Sequence, residues 1–121
     1  MIIINMNTKR LKLTVEGHAK REESGGFREI CNCAGALAQG LAYTVSKLTE
    51  QEGVLQDYKY RDDPGNLMLK VFPEEDAAED VRRIFDNYGD GFELLAKSHP
   101  YSVTFIRDGE LIRAEKGEGT K

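Results

Sequence analysis

The run GHAKREESGGFREICNCAGAL, residues 17–37, joins a strand-like segment to an amphipathic helix and decides the first half of the fold. Just upstream, Leu11, Leu13 and Val15 alternate with polar residues, the pattern of a strand with one buried face. Downstream, apolar residues recur every three or four positions, which predicts a helix over residues 28–49. They are Ile30, Ala34, Leu37, Leu41, Val45 and Leu48. The Ser-Gly-Gly sequence before this helix predicts a flexible loop.

Two β-hairpins are predicted on either side of this helix. Residues 2–6 and 10–16 are strand-like and lie close enough in sequence to form the first hairpin. Residues 54–61 and 66–72 form the second, because the Asp-Asp-Pro-Gly sequence at 62–65 is typical of a turn.

A second helix is predicted to begin at Pro73. The acidic residues 74–76 suit the positive end of a helix dipole. Apolar spacing stays in phase across Gly-Asp-Gly at 89–91, which favours one kinked helix over two. Residues 101–107 then predict a strand, and Asp108-Gly109 predicts a type I′ turn into a short terminal strand.

The predicted fold class is therefore α+β. It is a two-layer domain in which a mixed or antiparallel sheet packs with two main helices, in the order β-β-α-β-β-α-β. Residues 1–107 form the domain, and residues 108–121 add a short hairpin strand and a flexible, Gly-rich tail.

Composition narrows the classes of partner. The chain has 121 residues, 40% hydrophobic and 31% charged, which is typical of one globular domain. Its longest apolar run is far shorter than a membrane helix, so we expect a cytoplasmic protein without a membrane partner. The net charge of −4 and the lack of clustered Lys and Arg in the sequence predict no direct binding of nucleic acid.

His18 and Cys31 form the pair of residues with the clearest chemical potential. Gly17 permits a turn at the end of the predicted strand, so His18 is free to face the helix start. Cys31 falls in the first turn of the predicted helix, where unpaired N–H groups and the dipole favour a thiolate. A thiolate beside an imidazole suits acyl transfer. Gly35 continues a stripe of small residues from Cys31, which allows another backbone to approach.

Less specific interpretations stay open. Cys31 alone is more typical of a small buried residue, and His18 alone is more typical of a surface or structural histidine. Cys33 lies on the opposite side of the helix and is assigned to packing. A zinc site would gather Cys31, Cys33, His18 and His99, but a Cys-x-Cys pair within a helix points its sulfur atoms apart.

The Gly17-His18-Ala19 segment, the glycine-containing loop and Ile30-Cys31 followed by Ala34 to Leu37 resemble the ribosomal-processing cysteine protease (Prp) family. The resemblance implies a small homodimeric α+β enzyme of ribosome biogenesis. Such an enzyme removes the N-terminal extension of a large-subunit ribosomal protein, or trims a phage capsid or scaffold protein. It implies no metal and no cofactor.

The resemblance also assigns roles to residues. Cys31 is the nucleophile and His18 is the base. Gly25 and Gly26 are the hinge of a lid loop around the peptide, and Gly17, Glu29 and Gly35 complete the lid and substrate-binding group. Arg28 stands where family members usually carry an aspartate, with Glu29 one position later.

Two other functions are weighed against this one. The first is a catalytically idle relative that binds a ribosomal or phage structural protein without cutting it. The second is a thiol-based metal or redox module.

Overall fold

The computed structural model describes residues 1–17 and 25–113, and the side chains of residues 25–29 lie outside this description. Six strands and two long helices make up the described part of the chain. The strands are β1 (Ile2–Asn7), β2 (Lys12–Glu16), β3 (Leu55–Asp63), β4 (Asn66–Pro73), β5 (Val103–Arg107) and β6 (Glu110–Ile112). The helices are α1 (Gly25–Leu48) and α2 (Ala78–Ser98), and a short 3₁₀ turn, Glu75–Ala77, precedes α2.

The strands form one mixed sheet in the order β3-β4-β2-β1-β5-β6. All neighbouring pairs are antiparallel except β1 and β5, which are parallel and pair Ile2 with Val103 through Met6 with Arg107. The connections β2-α1-β3 and β4-α2-β5 supply the long crossovers that same-direction strands require. The predicted α+β class is therefore confirmed, with a sheet that is mixed rather than wholly antiparallel.

The core lies between the sheet and the two helices. Alternate strand residues such as Ile4, Leu13 and Leu69 are fully buried, as the period of two requires. Phe92 of α2 packs against Phe105 of β5 with ring centroids 5.9 Å apart. The opposite face of the sheet carries residues of the other phase and is open to solvent over much of its area.

Helix α1 begins three residues earlier than the sequence pattern predicted. Gly25 and Gly26 are its first two residues, so placing them in a loop before the helix was wrong. The apolar periodicity starts at Ile30, so it does not indicate whether the residues before Ile30 are helical. Low helix propensity, as in glycine, matters least at a helix terminus. As a consequence, Cys31 lies in the second turn and not in the first.

The start of α2 also differs from the prediction. Pro73 is the last residue of β4, where it pairs with Leu55, and the acidic residues after it form the 3₁₀ turn. Proline is tolerated at a strand end because it lacks only one donor there. The prediction that one helix continues across residues 89–91 is confirmed.

The turn residues place both predicted hairpins and the terminal one correctly. Pro64 and Gly65 connect β3 to β4, and Gly65 has a φ of +75°. Asp108 and Gly109 connect β5 to β6 with φ values of +51° and +86°, the backbone of a type I′ turn. Residues 116–121 of the predicted tail lie outside the described residues.

Candidate active site

A small cavity of about 130 Å³ lies where α1 passes the end of β2 and the β3–β4 turn. Cys31, Gly35 and Ala38 of α1 form one wall, and Gly17 lies opposite at the end of β2. A cavity of this volume accommodates one side chain of a peptide and not a whole ligand. A peptide would therefore lie across its mouth.

Cys31 is half-buried and contacts the hydrophobic core beside this cavity. Its place in the second turn of α1 means that its own N–H lies within the helical hydrogen-bonding pattern. The prediction that unpaired N–H groups at the start of the helix stabilise a thiolate at Cys31 was therefore wrong.

Gly17 fixes the direction in which the chain leaves β2. Its φ is +112°, and a Cβ added here would lie 2.1 Å from the carbonyl oxygen of Met1. Its N–H donates to the carbonyl oxygen of Gly65 at 3.0 Å. Only glycine suits this position, because both the backbone angle and the close contact exclude a side chain.

His18 follows Gly17 directly and lies outside the described residues. The side chain of Glu29 is likewise outside them, and the backbone of Gly25 and Gly26 belongs to α1. Of the predicted site residues, the cavity thus brings together Cys31, Gly17 and Gly35.

Polar residues of the β3–β4 hairpin line the other side of the cavity. They include Asp62, Asp63 and Asn66. The Gln39 side-chain amide donates to Asp62 Oδ2 at 3.2 Å, and the Tyr60 hydroxyl donates to the same oxygen at 3.1 Å. Burial, and then the hydrogen bond and negative charge of Asp62, raise the pKa of the Tyr60 phenol. This side of the cavity is electronegative and suits a neutral or basic peptide.

These hairpin residues were not predicted as part of the site. From the sequence, Asp62 and Asp63 were interpreted only as turn-forming residues, because a local pattern does not indicate which helix the tip of a hairpin contacts. The 23-residue separation between Gln39 and Asp62 is closed by the β2-α1-β3 crossover.

The second thiol opens into a different concavity. Cys33 is exposed, so its assignment to packing was wrong. It borders an apolar groove of about 590 Å³ between α1 and α2, together with Leu37, Leu94 and His99. The two thiols therefore face different surfaces, as the angular separation of residues 31 and 33 on a helix requires.

Within residues 1–17 and 25–113, neither helix has the length and apolar character needed to cross a membrane. In the same part of the chain, His, Cys, Asp and Glu side chains form no group of three or more that could hold a metal ion.

Comparison with known proteins gives a fold-level relationship. No protein-family model matches the sequence, and no curated protein matches it. The structure is similar to the ribosomal processing protease Prp from S. aureus in complex with a substrate peptide, at 14% identity and a TM-score of 0.65. This match covers 88% of the present chain and 99% of the protease. The chain has the Prp fold.

Two further solved structures agree with this result. The same S. aureus protease with a covalently linked product peptide matches at 15% identity and a TM-score of 0.64, over 88% of this chain and 99% of that one. SMU.848 from Streptococcus mutans matches at 21% identity and a TM-score of 0.60, over 88% and 90% of the two chains. The TM-scores show a common fold. The sequence identities are too low to show a common activity, which depends on the residues of the site.

Proposed function

We propose that this chain is a cysteine endopeptidase in which Cys31 is the nucleophile and His18 is the base. The observation that carries the proposal is that Cys31 and Gly17 line the same cavity. One peptide bond links Gly17 to His18, so the two α-carbons are about 3.8 Å apart. The residue that carries the imidazole therefore follows directly after a residue of the cavity wall.

The chemistry follows from that pair. His18 accepts the thiol proton of Cys31, and the sulfur attacks the carbonyl carbon of the scissile bond. The imidazolium then donates the proton to the leaving amine, which leaves an acyl-enzyme thioester. A water molecule, deprotonated by His18, hydrolyses the thioester and regenerates the thiol.

The cavity walls supply the binding surface. Gly35 and Ala38 are small, which lets a peptide backbone pass close to α1. Asp62 and Asp63 place negative charge on the opposite side. A neutral or basic peptide with small residues beside the cleaved bond fits this combination.

The Prp neighbours crystallised with peptides support a peptide partner for this chain. We propose the extension of a large-subunit ribosomal protein as the substrate. The homodimer implied by the family resemblance and the cytoplasmic location expected from the short apolar runs stay predictions, as does the lid role of Gly25, Gly26 and Glu29.

The test is mass spectrometry of a synthetic extension peptide after incubation with the purified protein. We expect one cut, lost by about a thousandfold or more in Cys31→Ala and by about a hundredfold or more in His18→Ala. Cys33→Ala is the matched control, and its cleavage rate should equal that of the parent.

Each contrary result overturns a defined part of the proposal. Cleavage that survives Cys31→Ala excludes the nucleophile. Peptide that is retained on the protein but stays intact identifies a catalytically idle binding protein. Peptide that is neither cut nor retained excludes the ribosomal extension as the ligand.

A further inference from the structure

Three lysines from three strands lie side by side on the sheet. Lys12 of β2 pairs directly with Lys70 of β4, and Lys70 pairs directly with Lys59 of β3. Their strand neighbours Leu13, Leu69 and Val71 point to the core, so the lysines belong to the face that the helices leave open. We call Lys12, Lys70 and Lys59 the lysine row.

The lysine row leads into a separate cavity of about 340 Å³ at the start of α2. The β1–β2 turn contributes Lys9 and Arg10 to its wall, and α2 contributes Arg82. Lys70 reaches the same cavity and donates a hydrogen bond to the carbonyl oxygen of Arg10. Basic residues from three separate segments of the chain, the β1–β2 turn, β4 and α2, therefore meet here.

Lys and Arg are therefore clustered in the folded chain, and the prediction from the sequence that they are not was wrong. Lys12 lies 47 positions before Lys59 and 58 positions before Lys70 in the sequence. Strand pairing brings them together, and a linear reading cannot show that pairing. Negative charge dominates the whole chain, at −4, yet this surface is positive.

The positive charge of this surface is largely uncompensated. Among the ion pairs of the described residues, none includes Lys9, Arg10 or a member of the lysine row. Arg82 is the exception, since it pairs with Glu79. Burial lowers the pKa of Lys70, and the charges of Arg10 and Lys12 lower it further.

Like charges placed directly opposite on paired strands destabilise a sheet. Sheets avoid that cost by pairing opposite charges on neighbouring strands, as Arg107 of β5 and Glu110 of β6 do here. Within residues 1–17 and 25–113 the three lysines have no ion-pair partner, and a bound anion would supply the missing negative charge.

The form of the ligand follows from the spacing. Paired strands lie about 4.8 Å apart, so the α-carbons of the three lysines recur at short, regular intervals across the sheet. A compact anion would contact the cavity alone, whereas a chain of phosphates can follow the row out of it. Phe72 lies beside the row on the same face of β4, with Lys70 Nζ 5.1 Å and Lys59 Nζ 5.9 Å from its ring centroid.

We propose that the lysine row and the adjoining basic cavity bind the phosphodiester backbone of single-stranded RNA. A positively charged track with an aromatic residue is the common arrangement for binding single strands without sequence preference. The proposal goes beyond the peptidase function and does not depend on it, because the row lies on the open face of the sheet and Cys31 lies on α1.

Fluorescence anisotropy of a labelled 12-nucleotide oligouridine tests the proposal. We expect binding by the parent protein at 50 mM salt that weakens with a log–log slope of about −3, for about four neutralised phosphates. The double variant Lys12→Glu and Lys59→Glu should lose about tenfold or more in affinity. Cys31→Ala should bind RNA as the parent does, which separates this proposal from the peptidase.

A matched control carries the same change of charge on the helices. Lys47 and Lys97 are exposed on α1 and α2, and Lys47→Glu with Lys97→Glu should change RNA affinity less than about twofold beyond the effect of net charge. The milder pair Lys12→Gln and Lys59→Gln, checked by circular dichroism, keeps the test valid if the glutamate pair unfolds the sheet.

Four outcomes would overturn the proposal. They are no RNA binding by the parent at 50 mM salt, equal losses in the row and helix variants, full competition by polyglutamate at equal charge, and full competition by inorganic pyrophosphate. The third would assign the surface to an acidic protein, and the fourth to a compact phosphate ligand held in the cavity alone.

Discussion

Gly35 lies in the first half of α1, and a Cβ added to it would meet no atom within 4 Å among the described residues. Glycine in a helix interior costs about 1 kcal/mol relative to alanine. Packing does not explain this cost, because the space beside Gly35 is open. Under the proposed function the cavity next to Cys31 accounts for it, since a peptide that reaches the thiol would pass this position.

Gly35→Ala should therefore separate stability from activity. The free energy of unfolding should rise by about 0.5–1 kcal/mol, because alanine favours the helix. The value of kcat/KM for the extension peptide should fall by about tenfold or more, because the methyl group displaces the peptide from Cys31. Urea denaturation and peptide cleavage measure the two effects.

Gly91 provides the control for that substitution. It lies in α2, where a Cβ would lie 3.1 Å from a methyl group of Leu37 and far from the Cys31 cavity. Gly91→Ala should leave cleavage unchanged. If Gly35→Ala cleaves as fast as Gly91→Ala, the peptide does not run beside Gly35.

At the level of residues, the sequence identified much of the candidate site. The motifs around His18 and Cys31 led to a thiol that does border a cavity with Gly17. The acidic side of that cavity was missed, because Asp62 comes from a hairpin whose position depends on tertiary packing. The second-turn position of Cys31 was missed because terminal glycines carry no periodic signal.

At the level of elements, Arg107 joins the sheet to a helix. Its guanidinium lies over α2 at 3.0 Å from Asp90 Oδ1, 3.3 Å from Glu93 Oε1 and 3.4 Å from Asp86 Oδ1. Gly89 permits this approach, since a Cβ there would lie 3.0 Å from the Arg107 Cζ atom. Burial lowers the pKa of Arg107, but hydrogen bonds to Asp90 and Asp86 outweigh it and raise that pKa.

Arg107→Met should destabilise the fold by about 1–2 kcal/mol. The estimate lies below that for breaking a fully buried pair, because the Arg107 side chain is 18% exposed and Asp90 is 75% exposed. The three carboxylates would be left facing one another without a cation. Urea denaturation gives the change in the free energy of unfolding.

Arg83→Met is the matched comparison on the surface of α2. Arg83 is 73% exposed and lies 3.9 Å from Asp80, so its loss should cost less than about 0.5 kcal/mol. Equal effects of the two substitutions would show that Arg107 does not hold α2 against β5.

At the level of the whole molecule, turn chemistry and periodicity were enough for the element order. Asp108-Gly109, for example, gave the β5–β6 hairpin because both positions need a positive φ. Strand order was beyond the sequence: β1 pairs with β5 across about 100 residues, and the pattern within either strand does not name its partner. The same limit hid the lysine row, whose members come from three strands.

The proposed function requires the side chains of Cys31 and His18 to lie at one cavity. Covalent labelling of the thiol is the clearest test of this requirement. The protein would be incubated with a chloromethyl ketone of the extension peptide, and the modified residue and labelling rate would be read by mass spectrometry. We expect a single adduct on Cys31. It should form at the parent rate in Cys33→Ala and about a hundredfold more slowly in His18→Ala. An adduct on Cys33, or a His18→Ala rate equal to that of the parent, would contradict it.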